Sequence, residues 1–140
     1  MEILLIEDNS SDIWMIKDAI KNSSIIEQCN VVKDGVEALK FLNKEGEFSN
    51  STLPDLILLD IKLPKKDGFE VLSELKNHSF LHKIPVIIIS NITNIETVKK
   101  GYDMFANCYI VKPSEPKEFE EMVKSIESFW GKIAVLPSNN

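Results

Sequence analysis

The chain has 140 residues, 44% of them hydrophobic and 27% charged, which is the composition of a soluble globular domain and excludes intrinsic disorder. Its formal net charge of −6 disfavours binding to nucleic acid or anionic lipid, because both repel an acidic surface. No apolar run approaches the roughly 20 residues that cross a bilayer, and no signal peptide is recognisable, so we expect a cytoplasmic protein without membrane insertion.

Short apolar runs alternate with longer segments of helical periodicity along the chain. Runs rich in Ile, Leu and Val are typical of strands buried on both faces, and here they are residues 3–6, 29–32, 56–59, 86–89 and 108–111. Five apolar stripes at helical spacing lie between and after them: Ile13, Ile16 and Ile20; Ala38, Leu39 and Leu42; Phe69, Leu72 and Leu75; Val98, Tyr102 and Phe105; and Phe119, Met122, Val123, Ile126 and Phe129 or Trp130.

This alternation predicts an α/β domain with a doubly wound, five-stranded parallel sheet. Local signals support the helix boundaries. Asp34-Gly35 and Asp67-Gly68 predict turns before the second and third helices. Thr93-x-x-Glu96 predicts a capping box at the start of the fourth helix, and Pro116 suits the first turn of the fifth.

The positions of three acids predict the strand order. Glu7 and Asp8 follow the first strand and Asp60 follows the third, so they share a site only if these two strands are neighbours. That requirement favours the order 2-1-3-4-5, with ligands bound outside the carboxyl ends of the strands. Cys29 and Cys108 then lie on opposite edges, nearly 20 Å apart at ~4.8 Å per strand, so we expect no disulfide between them.

Five side chains would converge at that edge of the sheet: Glu7, Asp8, Asp60, Ser90 and Lys112. Two carboxylates 4 Å apart repel by about 4 kcal/mol at an effective dielectric of 20, so three acids together require a cation unless one of them is protonated. Mg²⁺, which binds carboxylates, water and phosphate oxygens, fits that requirement. The hydroxyl and the ammonium are suited to phosphoryl oxygens, so the pattern predicts a phosphoryl-transfer site.

Individual roles follow from position. Asp60 follows the central strand and is the best-placed nucleophile, able to form an aspartyl phosphate. Lys112 precedes Pro113, which keeps it extended over the site and out of the following helix. Ser90 either donates to a phosphoryl oxygen or caps a helix, and Tyr109 either packs on the edge strand or moves inward when Ser90 engages phosphate. We expect His78 and His82 to be solvated, away from this site.

Taken in order and with their spacing, five segments resemble the receiver domain of two-component response regulators, a flavodoxin-like (βα)5 fold. The resemblance covers residues 1 to about 130 and rests on Ile6-Glu7-Asp8-Asn9, Leu58-Leu59-Asp60-Ile61-Lys62-Leu63-Pro64, Asp67-Gly68, Ile88-Ile89-Ser90 and Tyr109-Ile110-Val111-Lys112-Pro113. The 65–68 and 129–137 segments narrow the resemblance to the single-domain regulators that serve phytochrome-like and other sensor histidine kinases. These regulators are often homodimers.

The resemblance implies a role for each matching residue. Asp60 would be the phosphoacceptor, with Glu7, Asp8 and the backbone carbonyl of Lys62 completing the Mg²⁺ site. Ser90 and Lys112 would bind the phosphoryl group, and Tyr109 would be the switch aromatic. A sensor histidine kinase or histidine phosphotransfer protein would be the phosphoryl donor. No separate substrate would be turned over, so the protein would not be an enzyme beyond slow autodephosphorylation.

Two residues depart from the family pattern. Lys62 replaces a usually neutral residue, and Asn91 replaces a usually small one, so we expect altered phosphorylation kinetics. We expect the output to be a change on the surface formed by the fourth helix, fifth strand and fifth helix. Residues 1–130 would form the receiver domain. Residues 131–140 would be a tail whose 133–136 segment either docks on a partner subunit or packs on its own fifth helix.

Three alternatives use parts of the same pattern. A phosphatase of the haloacid dehalogenase type also has an aspartyl nucleophile, but it needs a second acid where this chain has Lys62. A flavodoxin-like cofactor binder needs hydroxyls and glycines after the first strand, where Glu7 and Asp8 would repel a phosphate. A pseudo-receiver that only binds partners would have lost the acids that this chain retains.

Overall fold

A computed structural model describes residues 1–137, and over this range the predicted alternation of strands and helices is confirmed. The strands are β1 (Glu2–Ile6), β2 (Gln28–Val32), β3 (Leu56–Leu59), β4 (Val86–Ser90) and β5 (Cys108–Val111). The α-helices are α1 (Ser10–Ile20), α2 (Gly35–Leu42), α3 (Gly68–Lys76), α4 (Ile95–Asp103) and α5 (Pro116–Ile126). Short 3-10 turns cover Gly46–Phe48 and Leu81–Lys83, and a π-helical segment, Glu127–Ile133, continues α5.

All strands are parallel, and their order is β2-β1-β3-β4-β5, as the acids predicted. β3 is the central strand, with all four residues buried. Leu56 and Leu58 pack with α1 and α5 on one face, while Ile57 and Leu59 pack with α2 and α3 on the other. This double burial explains why the strand is continuously apolar and shows no alternation of polar and apolar residues.

Polar side chains fix the starts of the helices close to the carboxyl ends of the strands. Asn9 and Asp34 accept from the third backbone N–H of α1 and α2, at 2.9 and 2.8 Å. Asp67 does the same at α3, where Glu70 completes a capping box. These contacts satisfy N–H groups that a helix leaves unpaired and fix the direction of each chain segment leaving the sheet.

The capping box predicted at Thr93 and Glu96 is wrong. Asn94 is the capping residue, and its side chain accepts from Thr97 N at 2.9 Å. Asparagine ranks above threonine at this position, and placing the cap one residue later moves Glu96 out of reach of a box. Pro116 does begin α5, as predicted.

The apolar stripe predicted for α4 is also incorrect in part. Phe105 lies beyond the helix at φ 70°, and its side chain is 73% exposed. Its N–H bonds Tyr102 O, and the N–H of Ala106 bonds Gly101 O, which is the Schellman pattern at a helix C-terminus. The helix therefore ends before the third residue of the stripe, and only Gly101 of α4 is buried.

The two cysteines lie on β2 and β5, the opposite edges of the sheet, and both are free thiols. Burial raises the pKa of the Cys29 thiol to about 11. Across residues 1–137, each helix is too short or too polar to cross a bilayer.

Helical structure continues beyond residue 130, into the segment predicted to be a tail. Gly131 lies so close to Ile25 that an added Cβ would be 2.5 Å from its Cγ2. Ala134 N bonds Phe129 O at 2.7 Å, and Val135 is 97% exposed. Residues 138–140 of the predicted tail lie outside the described residues.

Candidate functional site

The parallel pairing brings the predicted site residues together at the carboxyl edge of the sheet. Ile6 pairs with Leu59, so the residues that follow them, Glu7 and Asp60, are adjacent. The N–H of Asp60 donates to Ile6 O at 3.0 Å, which continues the backbone hydrogen bonds between the two strands as far as Asp60. On the other side, Lys112 N donates to Ser90 O at 2.9 Å. We call the group formed by Glu7, Asp8, Asp60, Ser90 and Lys112 the acidic bowl.

Three acids of the bowl can meet at a single point. Glu7, Asp8 and Asp60 each offer an oxygen, and these oxygens lie within 4.8 Å of one another. Glu7 and Asp60 are buried and Asp8 is exposed, so the group opens to solvent on one side. Clustered hard oxygen ligands with one open side suit a divalent cation that keeps part of its water shell.

Glu7 is the most deeply buried acid of the group, at 1% exposure. Burial raises its pKa from 4.5 to about 7, the charge of Asp60 adds to that rise, and the hydrogen bonds from Lys112 and Asn9 oppose it. The carboxylates outnumber the single ammonium, so without a metal ion Glu7 is partly protonated near neutral pH. A divalent cation would supply the missing positive charge.

Lys112 is the cation that holds the bowl together. Its ammonium nitrogen lies 2.7 Å from Glu7 Oε2, 2.8 Å from Asp12 Oδ2 and 3.2 Å from Asp60 Oδ2, and its side chain is only 4% exposed. Burial lowers the pKa of Lys112, but the hydrogen bonds to Asp12 and Glu7 and the charge of Asp60 outweigh it and raise that pKa. Lys112 is therefore charged at any physiological pH.

Asp12 is a residue of the site that sequence reasoning missed. It occupies the third position of α1, where its N–H bonds the capping Asn9 and its carboxylate turns back to Lys112. One signal could have found it: a first-turn acid of the helix that begins directly after Glu7 and Asp8 lies near the same edge of the sheet.

Ser90 and Tyr109 are connected through a single residue, Ile92. The N–H of Ile92 donates to Ser90 Oγ at 3.1 Å, and its carbonyl accepts from the Tyr109 hydroxyl at 2.6 Å. Tyr109 also has its backbone N–H 3.2 Å from the hydroxyl of Tyr102. Ser90 Oγ thus accepts a hydrogen bond from the loop between β4 and α4, and the Tyr109 hydroxyl donates one to the same loop.

The loop after Asp60 is held by a close approach of two backbones. An added Cβ at Gly68 would be 2.3 Å from Asp60 O, and Gly68 N bonds Ile61 O at 2.7 Å. Only glycine fits there, so Asp67-Gly68 fixes the backbone that carries Asp60. Lys62 and Asn91 both lie exposed beside this region.

The histidines lie elsewhere, at the far end of α3. His78 is half-buried, and its Nδ1 accepts from the N–H groups of Phe80 and Leu81 at 3.0 and 2.9 Å. The expectation of a merely solvated His78 is therefore wrong, because its ring caps the turn that follows α3. His82 is exposed, as expected.

Residues 3–124 match the family described as response regulator receiver domain. The chain belongs to this family. The response regulator Rcp1 of Synechocystis sp. is 41% identical over 136 residues, covering 97% of this chain and 92% of Rcp1. The fold is that of the receiver domains, as the strand order indicated, and the phosphatase and flavin-binding alternatives are set aside.

Two solved structures show the same likeness. The phosphorylated cyanobacterial phytochrome response regulator RcpA has a TM-score of 0.93 at 45% identity, with 98% of each chain covered. The Mn²⁺-bound form of Rcp1 has a TM-score of 0.91 at 41% identity, with 98% of this chain and 99% of Rcp1 covered. A relative of this fold thus binds a divalent cation, and the clustered acids of this chain are suited to one.

Proposed function

We propose that this response regulator accepts a phosphoryl group on Asp60 from a histidine of a sensor kinase or of a histidine phosphotransfer protein. The observation that carries the proposal is the ammonium of Lys112, 3.2 Å from Asp60 Oδ2 beside three clustered acids. A carboxylate nucleophile, a fixed cation and a cation-binding acid group are the parts that phosphoryl transfer needs.

The step is a displacement at phosphorus. A carboxylate oxygen of Asp60 forms a bond to phosphorus as the bond to the donor imidazole nitrogen breaks, and the electron pair returns to that nitrogen. Lys112 donates to a phosphoryl oxygen in place of Asp60, and the Ser90 hydroxyl donates to another after leaving the N–H of Ile92. The buried sheet edge excludes water from one side of the acyl phosphate.

The metal site of this proposal consists of Glu7, Asp8, Asp60 and the backbone carbonyl of Lys62. Mg²⁺ bound there supplies positive charge to phosphoryl oxygens and to the carboxylate that carries them. Glu7 and Asp60 are held on adjacent strands, so their separation is set by the sheet before any ion arrives. Asp8 is exposed and supplies the side open to solvent.

The proposal includes hydrolysis of the phosphoryl group by the protein itself and no turnover of a separate substrate. Lys62 and Asn91, both exposed beside the bowl, would modify the rate of that hydrolysis. Equal phosphoryl lifetimes in wild type, Lys62→Asn and Asn91→Ala would remove this part. The free thiols of Cys29 and Cys108 suit a reducing compartment, which supports a cytoplasmic location.

The output of the proposal is a change on what we call the β5 face, the exposed apolar side chains of α4, β5, α5 and the segments that follow α4 and α5. They are Ile95, Tyr102, Phe105, Val111 and Phe129. When Ser90 Oγ turns to the phosphoryl group, Ile92 N loses its acceptor. The loop that also anchors Tyr109 is then free to rearrange.

A homodimer through this face and residues 131–140 is part of the same proposal. Ile133 is 70% and Val135 97% exposed, and they follow in sequence Phe129 and Trp130, which line an apolar groove. Sedimentation of wild type with and without beryllofluoride tests it. A dimer in either state supports the proposal, and a monomer in both removes it.

The function is tested by phosphorylation with acetyl phosphate and with a histidine kinase. We expect one phosphoryl group per wild-type chain in the presence of Mg²⁺ and none with EDTA. Asp60→Asn should remain unmodified under both donors, and Asp55→Asn is the matched control, since Asp55 caps β1 away from the bowl. Phosphorylation that survives in Asp60→Asn would place the acceptor elsewhere.

A further inference from the structure

Asp12 joins the start of α1 to a lysine a hundred residues later in the chain. Its Oδ2 lies 2.8 Å from Lys112 Nζ, and its side chain is 16% exposed. By comparison, Asp18 on the same helix pairs with Lys21, where the side chains are 34% and 62% exposed. A surface pair of that kind is worth little, whereas the Asp12 pair binds a lysine that is 4% exposed.

The donors of Lys112 are fully used. An ammonium group has three N–H donors, and three carboxylates surround this one. The distances to Glu7 and Asp12, 2.7 and 2.8 Å, are shorter than the 3.2 Å to Asp60. The donor facing Asp60 is therefore the most weakly held and the one most readily transferred to a phosphoryl oxygen.

Glu7 and Asp12 differ in their relation to the acids of the metal site. Glu7 is a member of the group whose oxygens lie within 4.8 Å of one another, and Asp12 is not. A cation bound to that group would compete with Lys112 for the carboxylate of Glu7. The carboxylate of Asp12 would remain available to Lys112 alone.

We propose that Asp12 is a positioning residue for phosphoryl transfer: it anchors the Lys112 ammonium while one N–H passes from Asp60 to the phosphoryl oxygen. The proposal rests on the proposed function, with Asp60 as the acceptor. Asp12 does not touch the reacting atoms; it acts through Lys112. A neutral acceptor of the same shape at position 12 preserves the anchor, and an apolar residue removes it.

The first test compares initial phosphorylation rates with acetyl phosphate at saturating Mg²⁺. We expect Asp12→Ala to react roughly tenfold more slowly than wild type, the effect of losing one charged hydrogen bond. Asp12→Asn should recover to within about threefold of wild type, because its side-chain oxygen still accepts from the ammonium. Asp12→Ser, which is well suited to a first turn, should resemble Asp12→Ala, since its shorter side chain does not reach Lys112.

The matched control is Glu37→Ala. Glu37 is the first-turn acid of α2, with its N–H capped by Asp34 as Asp12 N is capped by Asn9. The Glu37→Ala variant loses the same favourable interaction with a helix N-terminus, but Glu37 is not one of the three carboxylates that contact Lys112. We expect its phosphorylation rate to equal that of wild type. Equal slowing in Asp12→Ala and Glu37→Ala, or an unslowed Asp12→Ala, would overturn the proposal.

The second test is independent of phosphorylation. In ¹⁵N-labelled protein with EDTA, the ammonium of Lys112 should give a resolved signal in wild type and Asp12→Asn. In Asp12→Ala that signal should be lost through faster exchange with water, and its persistence would contradict the anchor. If wild type is not phosphorylated on Asp60, the proposed function fails, while this signal still decides whether Asp12 holds Lys112.

Discussion

The acidic bowl and the β5 face lie at neighbouring positions on the molecule but are built in opposite ways. In the bowl, Glu7 and Lys112 are ionisable side chains that are almost fully buried and lie 2.7 Å apart. On the face, Phe105 and Val111 are apolar groups that are 73% and 49% exposed. Buried ionisable side chains and a patch of exposed large apolar side chains both depart from the usual distribution in a soluble domain.

The difference separates a region with preformed geometry from the region that we propose to change on phosphorylation. The bowl is fixed by strand ends, a glycine contact and ion pairs, so its geometry exists before a phosphoryl group arrives. The β5 face belongs to an edge strand and a helix whose only buried residue is Gly101. Ile92 links the two regions, because its N–H donates to Ser90 Oγ and its carbonyl accepts from the Tyr109 hydroxyl.

The largest effect is expected from removing the cation of the bowl. Lys112→Ala should reduce the phosphorylation rate by about a hundredfold or more, because a preorganised charge that meets the phosphoryl oxygens is lost. Initial rates with acetyl phosphate at saturating Mg²⁺ measure this. Lys21→Ala, which removes a lysine that is 62% exposed and paired with Asp18 on the surface, is the control and should match wild type. Comparable losses in both would mean that burial of the charge is irrelevant.

The next effect concerns the pH dependence of stability in the metal-free protein. The pKa of Glu7 is about 7 in the folded state against 4.5 ordinarily, so the folded protein binds the extra proton between these values. Its contribution is fully present below about pH 4.5 and is lost as the pH rises through about 7. The free energy of unfolding in EDTA should therefore lose about 3 kcal/mol from this group as the pH is raised.

Urea unfolding of wild type and Glu7→Gln across this pH range isolates the effect. The variant stays neutral at every pH, so the difference between the two curves should grow as the pH increases. Mg²⁺ should diminish that difference in wild type, because the cation replaces the proton. A constant difference across the range would contradict a raised pKa for Glu7.

A smaller effect is expected from the link between the regions. Tyr109→Phe loses the 2.6 Å hydrogen bond to Ile92 O and should cost about 1 kcal/mol in unfolding free energy. Tyr102→Phe, which loses a 3.2 Å contact at a more exposed hydroxyl, should cost less. If the link carries the output, dimer formation or partner binding in Tyr109→Phe should no longer respond to beryllofluoride. An unchanged response would place the coupling elsewhere.

The smallest effect belongs to the β5 face itself. Phe105 has φ 70° at the residue after a helix, where glycine is preferred. Phe105→Gly should raise stability by about 0.5 kcal/mol, since relief of the left-handed strain slightly exceeds the entropy that glycine adds to the unfolded chain. Lys44, at φ 55° after α2, offers the same test away from the face. A stability loss confined to Phe105→Gly would show that its ring packs usefully in the monomer.

The sequence predicted the elements best where one local property determined the outcome. The apolar runs of β3 and β4 are buried on both faces, so composition alone marked their bounds almost to the residue. The convergence of Glu7 and Asp60 followed from one topological rule, because parallel strands end at one edge.

The sequence did not predict features that depend on contacts between distant residues or on which of two neighbouring residues takes a role. Asp12 looks like an ordinary first-turn acid until α1 and β5 are placed side by side. Phe105 continues a helical stripe in sequence but lies two residues after Asp103, the last residue of α4, because Met104 already departs from helical geometry. Thr93 and Asn94 both can cap, and the choice between neighbours is a matter of local energies that a pattern does not resolve.

Identifying the phosphorylated residue tests directly whether Asp60 is the acceptor. Wild-type protein is phosphorylated with Mg²⁺, reduced with borohydride so that an aspartyl phosphate becomes homoserine, digested and analysed by mass spectrometry. We predict homoserine at position 60, and none in protein treated with EDTA. Homoserine at position 8 or 12 in place of 60, or modification of a histidine, would contradict it.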